Sequence, residues 1–204
     1  MEDGNAERLQ WVIQFQQGEE EAFSNLFEAY YAEAIRMAWL ICGNRADSED
    51  IVQETFTICY SHRKQLKHPE GFRSWFYKIL TRSAWKQCRK QQKEYPQELI
   101  PEKYGEREDQ NLQPLEAVMQ KQQDERVCQA VLKLPVKQRT VVVLYYFNGL
   151  STKEIANVLH SMEGTVKSRL YTARRNLKEM LQEEQKSERK ANDILTEGRI
   201  RHET

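Results

Sequence analysis

No apolar run in this chain approaches the ~20 residues that a membrane span needs, and its opening, MEDGNAERLQ, is acidic where a secretion signal would be basic and then apolar. Residence in the cytoplasm, without membrane insertion, is therefore expected. Glycine and proline are scarce, at 8 and 5 of 204 residues. With 39% hydrophobic and 30% charged residues, that scarcity excludes the turn-rich composition of a β-sandwich and points to a helix-rich chain. Cysteine is scarce too: Cys42, Cys59, Cys88 and Cys128 stand far apart, without the paired spacing of zinc sites, each in a helical pattern. They read as reduced core thiols, so no metal or other cofactor is expected. Net charge is absent as well, at zero for the whole chain.

That zero conceals segregation. Residues 1–60 carry twelve acidic side chains against three basic, residues 61–90 nine basic against one acidic, 91–126 an acidic excess, and 134–181 eight basic against three acidic. Two basic segments separated by an acidic one suit two contacts with a polyanion, because local field rather than total charge attracts phosphate. A solvated charged face is the plainer alternative.

Helical periodicity organises the chain. In AFSNLFEAYYAEAIRMAWLICGN, Phe23, Phe27, Tyr30, Ala34, Met37, Ala38 and Ile41 share one side and stop at Gly43, which suits a C-cap. A second helix opens at ADSED with Asp47 as the expected cap. It buries Val52, Phe56 and Cys59 and leaves Asp50, Gln53, Glu54 and Thr57 on an exposed stripe. KQLKHPEGF breaks the pattern at Pro69 and Gly71. A third helix, about 72–90, turns Phe72, Trp75, Phe76, Ile79, Leu80 and Ser83 inward, with Lys78, Arg82, Lys86 and Arg89 on the other side and Tyr77 and Trp85 beside them. Cations mixed with exposed aromatics suit nucleic acid, since rings can stack on unpaired bases; Trp75 and Trp85 also fit a core.

Residues 91–114 hold three prolines, few aliphatics and many acids, the composition of a flexible acidic linker. Helical spacing resumes at Leu115, Val118, Cys128, Val131 and Leu132 until Pro135, and another helix covers about 137–147. Ser151 and Glu154 then form a capping box. The short helix it starts turns Ile155, Ala156, Val158 and Leu159 inward, His160-Ser161-Met162 makes a turn, and a second helix buries Val166, Leu170, Ala173 and Leu177. That helix projects Glu163, Lys167, Ser168, Tyr171, Arg174, Arg175 and Lys178. A short scaffold helix, a three-residue turn and a cationic second helix make a helix-turn-helix, in which the second helix enters the major groove of DNA. The tail, 182–204, reads as a fraying helix end or a disordered segment.

The ordered set DSEDIVQETF, FRSWFYKILTRSAWKQCRK and LPVKQRTVVVLYYFNGLSTKEIANVLHSMEGTVKSRLYTARRNL resembles the bacterial RNA polymerase sigma factors, specifically the extracytoplasmic-function group of the sigma-70 family. The resemblance covers about residues 20–181. It implies an all-α chain of two small helical domains, 1–90 and 115–181, joined by the 91–114 linker and followed by the 182–204 tail. It implies that the first domain docks on core RNA polymerase and reads and melts the −10 element of promoter DNA, and that the second reads the −35 element. An anti-sigma factor is a further implied partner. Carried onto this chain, Asp50, Gln53, Glu54 and Thr57 would meet the polymerase. His68, Phe72, Trp75, Tyr77, Lys78, Arg82, Trp85, Lys86 and Arg89 would take the −10 strand. Glu163, Thr165, Lys167, Ser168, Arg169, Tyr171, Arg174 and Arg175 would face the −35 duplex. Ser83 and Gln87 stand where many relatives carry Asn and Asp.

Two other readings compete. A helix-turn-helix regulator that is not a polymerase subunit also fits LSTKEIANVL and GTVKSRL, but its response-regulator form needs an upstream domain with βα alternation, which residues 1–130 lack. An enzyme would need Asp47, Glu49, Asp50, Glu54, His62 and His68 to converge on a metal, yet Asp47 and His62 lie about four turns apart on one helix. A non-enzyme is expected.

Overall fold

The computed structural model describes residues 3–94 and 125–200. Every regular element among them is helical: α1 (Asp3–Gln17), α2 (Glu20–Cys42), α3 (Arg45–His62), α4 (Phe72–Glu94), α5 (125–132), α6 (Val136–Val142), α7 (Thr152–Leu159) and α8 (Glu163–Ile200). Two 3₁₀ turns, Arg63–Gln65 and Pro69–Gly71, bridge α3 to α4. The linker expected over 91–114 lies outside the described residues except where α4 continues to Glu94, as do Leu115 and Val118. Beyond Leu181, α8 runs on as one helix through most of the expected tail.

The first helical group, α1–α4, closes around aromatic rings. Phe15 stacks on Phe23 with centroids 5.7 Å apart and meets Phe72 edge-on at 6.1 Å, while Phe76 lies 5.1 Å from Tyr30 and 5.2 Å from Phe56. Such buried rings are each worth roughly 3–5 kcal/mol against truncation to alanine. Helix α1, whose apolar positions are too few to stand out in the sequence, supplies Val12 and Phe15 to this core. Gly43 ends α2 in the left-handed conformation, φ 77°, and its N–H donates to the Trp39 carbonyl at 2.7 Å.

Two sequence expectations are corrected here. The N-cap of α3 is Asn44, whose Oδ1 accepts from the Asp47 N–H at 3.0 Å. Asp47 instead receives the side-chain amides of Gln87 and Gln91 and so ties α3 to α4. Phe27, expected in the core, is 37% exposed: it leans on Phe56 of α3, ring centres 4.7 Å apart, at the open edge of the α2–α3 contact.

The second group, α5–α8, buries Val131, Val141, Leu144, Ile155, Val166, Leu170 and Ala173. Helix α6 widens into a π-turn at Val143–Phe147 before Gly149, φ 65°, reverses the chain. The two groups touch. Helix α2 meets α6 and the π-turn, and α4 meets α7. Asn148 donates to Glu33 Oε1 at 2.9 Å and accepts on its carbonyl from Arg73. The Arg36 guanidinium lies 4.9 Å from the Phe147 ring centre, and Trp85 Nε1 donates to Thr140 Oγ1 at 3.0 Å.

Candidate functional site

Three surfaces carry the residues singled out in the sequence. On α3, Asp50, Gln53 and Thr57 project into solvent, whereas Glu54 is half-buried with Oε1 2.7 Å from Lys86 Nζ on α4. Beside this stripe an open groove of about 790 Å³ runs between α2 and α3, floored by Phe23, Phe27, Phe56 and Tyr60 and edged by Gln53, Thr57 and Ser61. Phe27 and Tyr31 stack at its rim, centroids 4.9 Å apart. A polar edge beside exposed rings is chemistry for a protein partner, since aromatics are enriched at the centres of such contacts. The i, i+4 pair Phe27–Tyr31 is the sequence signal for this groove, masked because Phe27 also falls on the apolar spacing of α2.

The second surface is α4 with the loop before it. Arg82, Lys86 and Arg89 are exposed and Lys78 is half-buried. His68 is exposed ahead of the Pro69–Gly71 turn. Phe72, by contrast, is 4% exposed, locked among Phe15, Tyr30 and Phe76. Tyr77, expected beside the cations, is fully buried: its hydroxyl faces Glu33 and Arg73 at the contact between the two groups, and burial pushes its pKa up. Trp75 is half-buried against Phe72. Trp85 is half-buried too, with its N–H spent on Thr140. His160, in the turn after α7, lies close enough to Lys78 and Arg82 that their charge, Lys78 foremost, holds its pKa below the ordinary value. The cationic face of α4 is thus partly roofed by the second helical group.

The third surface is the helix-turn-helix. Ser151 Oγ accepts from the Glu154 N–H at 3.3 Å, and Glu154 Oε2 accepts from the Ser151 N–H at 2.8 Å, the reciprocal pair that starts α7. The Ser151 hydroxyl, which donates to Glu154 Oε2 at 2.7 Å, and then the Ser151 N–H hold the Glu154 carboxyl below its usual pKa. His160 takes the left-handed conformation, φ 47°, to end α7. Helix α8 then presents Lys167, Ser168, Arg174, Arg175 and Tyr171, the last 70% exposed, with Thr165 and Arg169 half-buried. Glu163 is bound by Lys167 at 2.8 Å and by Thr152 Oγ1 at 2.7 Å, which lowers its pKa and clamps the first turn of α8 to α7. Arg174 Nε donates to Tyr146 Oη at 2.6 Å, and its guanidinium sits 5.5 Å from the Tyr145 and Tyr146 ring centres. Arg175 is 3.9 Å from Glu179. Nothing in the sequence pattern marks the π-turn tyrosines as a brace for Arg174.

Residues 26–94 match the family described as Sigma-70 region 2, and residues 125–177 match Sigma-70, region 4. The chain is 30% identical over 178 residues to the ECF RNA polymerase sigma factor SigW of Bacillus subtilis, covering 84% of this chain and 95% of that one. It is 32% identical over 139 residues to the RNA polymerase sigma factor SigV of the same organism, covering 68% and 78%. Among solved structures, CnrH in complex with the cytosolic domain of CnrY has a TM-score of 0.63 at 21% identity, over 85% of this chain and 96% of that one. RpoE in complex with the anti-sigma factor NepR from Bartonella quintana has a TM-score of 0.64 at 21% identity, over 78% and 96%. At that identity the structural likeness speaks to the fold.

Proposed function

Because the chain belongs to the extracytoplasmic-function sigma factors of the sigma-70 family and carries both region 2 and region 4, we propose the following division of labour for its promoter-specific initiation of transcription. Residues 1–90 dock on core RNA polymerase through Asp50, Gln53, Glu54 and Thr57 together with the Phe27–Tyr31 groove, and they melt and hold the −10 strand along α4. Residues 115–181 read the −35 duplex through α8. The 91–114 segment links the two. The protein works in the cytoplasm, as a polymerase subunit with no catalytic chemistry of its own, and an anti-sigma factor of the kind bound by the structural relatives restrains it.

The observation that carries the reading is the pairing of a capped helix-turn-helix, whose α8 projects Lys167, Ser168, Tyr171, Arg174 and Arg175, with a second cationic helix, α4, on one chain. Duplex reading and strand capture need such surfaces separately: cations and hydrogen-bonding groups for the groove, and cations with stacking rings for the opened strand. The roof that α6 and α7 form over α4 implies that promoter opening requires the two groups to part, which frees Trp85 from Thr140. Polymerase, by engaging the α3 stripe, supplies the energy for that parting.

Permanganate probing of −10 thymines tests the division. Holoenzyme with the wild-type chain opens a linear promoter, and Trp85→Ala holoenzyme opens it poorly but is rescued on a preformed bubble. Normal opening by Trp85→Ala, or bubble rescue of an Asp50→Lys variant, overturns it.

A further inference from the structure

Of the four cysteines, two that are 46 residues apart in sequence are brought together by the α2–α4 packing: Cys42 Sγ and Cys88 Sγ lie 3.1 Å apart. That is roughly an ångström from the ~2.05 Å of a sulfur–sulfur bond. The pair sits at the ends of α2 and α4, where both meet α6, and the charge of Arg139 on α6 acts on both sulfurs. Arg139 is 6% exposed; Nη1 donates to the Leu132 carbonyl at 2.8 Å, and Nε has no hydrogen-bond partner among the described residues. A buried guanidinium needs an anion. The acid that acts on this site, Asp47, is taken by Gln87 and Gln91. The sulfurs remain. Either thiol can donate in the Cys42–Cys88 contact, and each also has a backbone carbonyl in reach, Ala84 for Cys42 and Ile41 for Cys88; with Cys42 as the donor to Cys88, that bond together with Arg139 favours the Cys88 thiolate while Cys42 is held protonated. Cys59 makes the contrast: burial alone pushes its pKa up to about 12, so it stays an inert thiol.

We propose that Cys42 and Cys88 form a hydroperoxide-responsive dithiol whose oxidation to a disulfide removes the anion facing Arg139 and releases the second helical group from the first. The Cys88 thiolate attacks the terminal oxygen of the peroxide. The S–O bond forms as O–O breaks, the remaining oxygen leaves and takes a proton as water or an alcohol, and Cys88 becomes a sulfenic acid, oxidised by two electrons. Cys42 then attacks Cys88 Sγ; the S–S bond forms, S–O breaks, and the hydroxyl departs with the Cys42 proton as water. Two thiols and one hydroperoxide thus give a disulfide and two hydroxylic products. Cys42 and Cys88 are 5% and 6% exposed as residues, which leaves room for a small peroxide but not for a protein reductant. Reduction by a dithiol therefore acts on the parted form, and the anion it restores re-forms the contact with Arg139. Reversible pairs of this kind are the ones that persist in a reducing compartment.

The test uses the full-length reduced chain and hydrogen peroxide, with mass mapping of cysteines and small-angle scattering, and needs no polymerase, so its failure is distinct from failure of the proposed function. The expected result is a Cys42–Cys88 crosslink that appears before any change at Cys59 or Cys128. The population of the parted form rises about tenfold or more, as an unpaired buried charge implies, and a dithiol reverses it. Cys42→Ser should stop at a dimedone-reactive Cys88, and Cys88→Ser should leave Cys42 unoxidised. Arg139→Gln should slow crosslinking and abolish its effect on separation, whereas Arg139→Lys, which keeps the charge if Gln proves unstable, should preserve both. First oxidation at another cysteine, or a Cys42–Cys88 crosslink that leaves the separation unchanged, overturns the proposal.

Discussion

Replacing Trp85 by Phe isolates one bond across the contact between the two helical groups. An aromatic ring smaller than the indole remains, and the 3.0 Å bond from Nε1 to Thr140 Oγ1 is lost. Thr140 Oγ1 still donates to the Val136 carbonyl at 2.7 Å, and the hydroxyl is left without a second partner rather than without any. The cost is therefore that of a net intramolecular hydrogen bond, ~0.5–1.5 kcal/mol. Because the bond spans the two groups, that energy acts on their separation, which should rise about two- to tenfold. Scattering, or hydrogen exchange in α7, measures the shift, and the melting of α1–α4 should stay nearly unchanged. Thr140→Val removes the same bond from the other side, so the double variant should shift the equilibrium no further than either single one. Additive shifts would refute the reasoning, since Trp85 would then act through packing.

Charge reversal at Asp50, exposed on α3, should abolish co-purification with core polymerase while leaving the melting temperature within about 1–2 °C, because surface substitutions cost little. Lys167→Ala should weaken upstream-element binding and lower the salt slope by about one if the lysine meets a phosphate; Glu163→Gln, which frees Lys167 from its 2.8 Å ion pair, should strengthen non-specific binding. Ser151→Ala should cost about 1 kcal/mol of stability in thermal melts by removing the α7 cap. The Glu154 carboxyl has a folded pKa below its ordinary value, so its contribution is complete above the ordinary carboxylate range and is lost as pH falls through the lowered folded pKa. Melts below that range should show the loss, and Glu154→Gln should flatten it.

Helix positions were legible where a strong local device or a long apolar stripe marked them: Gly43 ends α2, the Ser151–Glu154 box starts α7, and Val166, Leu170 and Ala173 face inward on α8. What escaped depended on tertiary contacts that periodicity does not encode. Tyr77 lies at the edge of the α4 apolar arc, and the arrival of Glu33 from α2, which the spacing on α4 does not encode, goes with its burial. Asn44 outcompeted Asp47 as a cap because Asp47 had two glutamine amides from α4 to bind. Cys42 and Cys88 looked unrelated in sequence because nothing in their spacing marks the crossing of α2 and α4. The candidate −35 face was the most legible of the three surfaces, since its residues follow one helix. The candidate docking groove was the least, since it forms only when α2 and α3 pack.

Sequencing the transcripts that core RNA polymerase makes from genomic DNA, with and without the purified chain, bears most directly on the central claim. New 5′ ends that appear only with the protein, share paired upstream elements at −35 and −10, and vanish with Asp50→Lys are the predicted result. Transcripts that start at the same positions and in the same amounts whether or not the protein is present would contradict it.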